Sequence, residues 1–240
     1  MFHSPLLLNT FIIAFWLGKD SKGCMRYDKE KPWKNEVTRM AFLVIWLLMI
    51  AYAVFFAPSG TGGIEFGPLL MGDWEGVDPL ILAVFNSLGI FPLVFLTLLV
   101  PNDRFRWPAW PFSLVSFGVG AFSLLPYFAF GDKPPEKKRR GPNWLHRILR
   151  SKAWLIFVAA ISIINFLTVF RGFSIEAYAE AFQTSSLVSV MTIDWFVLWG
   201  LSIYATYRFL PEANFKQLAL LPVMGPILVV LFNRNSNKAK

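Results

Sequence analysis

Between Pro79 and Pro101 run twenty-one residues, Leu80 to Val100 ("LILAVFNSLGIFPLVFLTLLV"), without one charged side chain. About twenty apolar residues in helical form cross the ~30 Å hydrocarbon layer of a bilayer. Lipid offers no hydrogen bonds to a free N–H or C=O, so such a run is confined to a helix. Met40 to Ala57, closed by Pro58, and Ala153 to Phe170 are equally uncharged, and Leu187 to Leu210 carries only Asp194 and, near its end, Arg208. The chain is 55% hydrophobic and 16% charged, where soluble domains carry about 45–50% and about 25%. Its charges gather in blocks between the apolar runs. The expectation is an all-α, polytopic transmembrane helix bundle.

Two further segments bring the expected number of spans to five or six. Pro111 to Phe130 ("PFSLVSFGVGAFSLLPYFAF") is long enough to cross, and Ser113, Ser116, Gly120 and Ser123 place small side chains along one face for close helix packing. Leu218 to Phe232 reaches only roughly 22 Å as a straight helix. Interrupted by Pro222, Gly225 and Pro226, it either crosses as a broken helix or turns back. Three regions result: an amino-terminal apolar segment and charged linker (1–39), the bundle (40–232) and a polar tail (233–240). Pro5 to Gly18 is short for a span and lacks the basic start of a signal peptide.

The basic residues raise a conflict. Seven Lys or Arg lie in 19–39, none in 58–79, two in 101–110 and eight in 131–152, the last including Lys137, Lys138, Arg139, Arg140, Arg147 and Arg150. Loops rich in Lys and Arg stay on the inner side of a membrane, yet three crossings would separate the first block from the last. Either the linker, with its four acids, is tolerated outside, or one apparent span does not cross. The first resolution is preferred here.

Asp194, in "VMTIDWFVLWG", is the acid that falls well inside a span. A carboxylate at that depth costs about 2.5–3.5 kcal/mol, and no span carries a Lys or Arg at that depth to pair with it, Arg208 lying at the far end of the same run. Asn86 and Asn165, also within apolar runs, and the Thr192 hydroxyl are candidate partners, giving an intramembrane polar set of Asp194, Asn86 and Asn165. Such a set either fixes helix packing or holds a titrating site. No enzyme is expected, because one acid cannot form an aspartyl dyad and two histidines, His3 and His146, cannot make a bis-histidine haem site. Metal-ligating motifs are absent and Cys24 stands alone. The net charge of +8 points to anionic headgroups, not nucleic acid.

Ten Trp and twenty-five Phe suit chlorophyll or carotenoid contacts, although Trp107, Trp110, Trp144 and Trp154 serve equally as interface anchors. "GDWEGVDPLILAVFNSLGIFPLVFLTLL", "PAWPFSLVSFGVGAFSLLPYFA", "SLVSVMTIDWFVL" and "LALLPVMGPILVVLF" resemble a conserved, poorly characterised family of polytopic membrane proteins of cyanobacteria and plastids. The resemblance covers about residues 40–232. The first forty residues have no counterpart in it, and "PEANFKQ" after Leu210 replaces a more charged stretch. It implies a thylakoid setting and brings no catalytic residues. The expected role is an accessory or assembly subunit of a photosystem-type complex that contacts lipids and other membrane subunits. The alternative is a small secondary transporter or channel in which Asp194 titrates.

Overall fold

The computed structural model describes residues 32–62, 64, 66–72, 74–102, 107–131 and 143–236. Pro5 to Gly18, most of the linker and the bases Lys137, Lys138, Arg139 and Arg140 lie outside the described residues. In chain order the helices are α1 (Pro32–Ala51), which continues as a π-helical turn through Phe56, α2 (Phe66–Met71), α3 (Pro79–Leu99), α4 (Ala109–Val119) and α5 (Ala121–Phe130). Then follow α6 (Asn143–Leu149), α7 (Lys152–Thr168), α8 (Ile175–Thr184), α9 (Ser186–Phe209) and α10 (Met224–Ser236).

Among the described residues four helices are long and apolar enough to cross a membrane: Glu36–Phe56, Pro79–Asn102, Lys152–Arg171 and Ser186–Phe209. Their starts are capped in sequence-encoded ways. Asp78 accepts from Leu80 N at 2.8 Å ahead of Pro79, Ser151 caps α7 through Trp154 N at 3.1 Å, and Ser185 caps α9. Each cap satisfies a backbone donor that a helix start leaves without a partner.

α3 forms the centre. Phe91, Val94, Phe95 and Leu98, spaced so as to share one helical face, are fully enclosed. α7 runs antiparallel to it and is clasped at both ends. Trp154 Nε1 donates to Thr97 Oγ1 at 2.8 Å, and Asn165 Nδ2 donates to Ala83 O and Ser87 Oγ, both at 2.9 Å. α1 and α9 form a second antiparallel pair, with Tyr52 and Ser189 hydroxyls 2.6 Å apart near one end and the Phe42 and Tyr204 rings 5.0 Å apart towards the other.

The segment expected to be a continuous span from Pro111 to Phe130 is instead a helical hairpin. Phe112 and Tyr127 would stand about 22 Å apart along a straight helix, yet their ring centroids are 5.4 Å apart. Ser123 Oγ likewise donates to Phe112 O at 3.0 Å. The chain reverses at Gly120, and each arm, of 11 and 10 residues, reaches roughly 16 Å, about half of the hydrocarbon layer.

Two side chains of α1 fix the returning arm. Trp46 Nε1 donates to Phe122 O at 3.0 Å, and Arg39 Nε donates to Ala129 O at 2.7 Å. The first of these carbonyls lacks its intrahelical donor because Pro126, four residues on, has no N–H. α5 thus rises antiparallel to α1, from the middle of that span to its start.

The stretch around Leu218 to Phe232 also folds back. Trp199 Nε1, ten residues before the end of α9, donates to Leu220 O at 3.1 Å. The Phe215 and Phe232 rings then meet at 6.1 Å, so the two ends of the stretch return to one level. At its turn, a Cβ on Gly225 would lie 2.0 Å from Leu218 O, which explains a glycine there.

Candidate functional site

The tip of the α4–α5 hairpin meets Asp194. α9 presents this side chain inward, 5% exposed, and its Oδ1 accepts from Ala121 N at 2.7 Å. Ala121 opens α5, so its N–H has no acceptor within the helix. The carboxylate supplies one at the end of the helix where the backbone dipole favours negative charge. What shelters the acid is therefore a broken helix, not another side chain.

Gly120 makes this approach possible for two independent reasons. Its φ of 55° with ψ of −133° is a conformation that glycine adopts without steric cost. A Cβ at that position would also sit 1.7 Å from Asp194 Oδ2. A side chain here would therefore clash with the carboxylate as well as strain the turn.

The intramembrane set expected from the sequence is not assembled as one cluster. Asn165 binds Ala83 and Ser87, and its Oδ1 is enclosed without a partner. Asn86, one residue before Ser87 on α3, is half-buried and joins neither hydrogen-bonded pair. The Thr192 hydroxyl donates to Val188 O and meets Tyr178 OH at 2.6 Å. Asp194 and Asn165 thus serve separate helix junctions.

Ser113, Ser116 and Ser123 are all buried, but Gly120 divides them between the two arms, so they do not form one stripe. Ser113 and Ser116 return their hydroxyls to α4 carbonyls, while Ser123 bridges to Phe112. His146 is buried in α6. Arg147 is exposed, and Arg150 donates from Nη2 to Pro101 O at 3.1 Å. Among the described residues no group of three or more His, Cys, Asp or Glu is placed to hold a metal.

Beyond the hairpin tip, between α1 and α9, lies an open apolar groove of about 510 Å³, lined by residues that include Leu48, Met49, Tyr52, Phe56, Ile193 and Val197. No protein-family model matches the chain, and no curated protein or solved structure matches it.

Sequence reasoning missed the roles of Gly120, Arg39 and Trp46. Two signals were present. Gly120 divides the run into two short helices of similar length, and Pro126 announces a carbonyl at Phe122 in need of an outside donor.

Proposed function

We propose that this chain is an accessory or assembly subunit of a larger membrane complex, acting through helix packing. The carrying observation is where its polar and apolar groups are spent. Asp194 and Asn165 bind backbone of neighbouring helices, whereas α1 turns Val44, Leu47, Leu48, Phe55 and Phe56 outward. Only 11% of the α1 span is enclosed, against 50% of the α3 span, which leaves a face for a neighbouring subunit. The open groove beside it suits a hydrocarbon chain of a lipid or pigment, chlorophyll or carotenoid included. The photosynthetic, thylakoid setting rests on the family resemblance.

Purification in mild detergent tests this reading. Co-isolation with other membrane subunits, and pigment absorption in the same fraction, are the expected results. A colourless, solitary protein would contradict it.

One observation favours a second reading, a secondary transporter or channel. An acid at mid-depth meets the amino end of a discontinuous helix, an arrangement on which transporters build ion and substrate sites. In reconstituted vesicles, a proton-dependent flux abolished by Asp194→Asn would support transport. Absence of any flux from the unaltered protein would remove it.

A further inference from the structure

We infer that the described part of the chain crosses the membrane four times, that its two folded-back segments open on the same face, and that this face docks on anionic lipid headgroups. The inference rests on the fold and is independent of the role proposed above. Its decisive contact is between Arg150 Nη2 and Pro101 O, 3.1 Å apart. Pro101 ends the second span and Arg150 precedes the third, so everything between them, the α4–α5 hairpin included, leaves and returns on one side. Arg39, at the start of the first span, touches Ala129 at the end of the hairpin and places the start of α1 on that side too. Phe215 against Phe232 does the same for the carboxyl-terminal segment.

The charges, counted along this path, separate almost completely. Among the described residues, eight of the nine Lys and Arg fall on the hairpin side, with Glu36 and Glu212. Of the described charges, the opposite side receives Arg171 as its one base, together with Glu75, Asp78, Glu176 and Glu180. A crossing at residues 109–130 would instead split the two basic blocks. The conflict between those blocks is thereby removed, by the resolution that the sequence reading ranked second: one apparent span does not cross. The positive-inside rule then assigns the hairpin side to the cytoplasmic or stromal face.

At the helix ends on this face, Arg147, Arg150, Lys152 and Arg208 are exposed. Trp107, Trp110 and Trp144 stand exposed in the segments on the same side. Bases and tryptophans at one level match the headgroup region, where each base near an anionic surface adds attraction.

Cysteine accessibility in sealed, uniformly oriented vesicles tests the path, with Cys24 as a native reporter and Cys24→Ser as the background for the others. With a membrane-impermeant maleimide, Cys24 and the Asn143→Cys and Lys238→Cys variants are expected to react from one side and Glu176→Cys from the other. Reaction of Cys24 and Asn143→Cys from opposite sides would show that 109–130 crosses and overturn the path. Opposite reaction of Lys238→Cys would overturn the second fold-back.

For the docking face, the full-length protein is compared in nanodiscs of phosphatidylcholine with and without phosphatidylglycerol. The anionic lipid should raise Tm by about 4 °C or more, and added salt should erase the gain. Equal Tm in the two lipids would overturn the headgroup assignment.

Discussion

Arg39 Nε donates to the carbonyl of Ala129 over 2.7 Å and ties the mouth of the re-entrant hairpin to the first span. Seven residues deeper, Trp46 repeats the tie at Phe122. Trp46→Phe keeps most of the ring volume but leaves the Phe122 carbonyl without a donor, because Pro126 cannot provide one. The expected cost is about 1–3 kcal/mol, read as a lower unfolding midpoint in mixed detergent. Trp154→Phe provides a comparison in which the group left behind, the Thr97 hydroxyl, also donates to Leu93 O and so retains a partner. It should cost less.

Gly120→Ala combines a left-handed backbone with an atom placed inside the space of the Asp194 carboxylate. A loss of about 3 kcal/mol or more is expected. Gly118→Ala, two residues away, meets nothing within 4 Å and should leave the midpoint nearly unchanged. Similar losses in both variants would count against the tight tip.

Replacement of Asp194 separates its hydrogen bond from its charge. Asp194→Asn retains a carbonyl able to accept from Ala121 N and forfeits only the attraction to the helix end, about 1 kcal/mol or less. Asp194→Ala leaves that N–H unpaired in the interior, at about 1–3 kcal/mol. The two midpoints should therefore differ; equal destabilisation would point to a role for the negative charge itself.

Tyr178 gives a pH signature outside the spans. Burial pushes its phenol above the ordinary range, while the Thr192 hydroxyl draws it partly back. The folded state thus holds this proton more tightly than the unfolded one. Its contribution is complete below the ordinary tyrosine pKa of about 10 and is lost as pH rises through the higher folded value. Thermal midpoints should fall more steeply with pH above about 10 than they do in Tyr178→Phe.

Hydropathy located the four long spans because length and apolar content decide them. It misplaced Pro111 to Phe130, since a count of apolar residues carries no direction and a hairpin buries the same side chains as a rod. The two basic blocks were the clue to the reversal, but charge alone could not say which span to remove. Asp194 was conspicuous from its surroundings. Its partner was not, because Ala121 contributes a backbone N–H, a group that every residue except proline possesses and that residue identity does not reveal. Asn165 was placed in the wrong company for a related reason: its partners include the Ala83 carbonyl, and the Ser87 hydroxyl is one residue from the Asn86 side chain that drew notice.

The hairpin tip and its carboxylate are separated by 73 residues of chain. At roughly 5–20 residues per second, several seconds of synthesis elapse after Ala121 emerges before Asp194 exists to meet it. For that interval a nascent chain holds an open backbone donor at a depth where lipid offers none. Completion of the fourth span therefore closes a structure begun much earlier, and truncation before it strands the hairpin half-made.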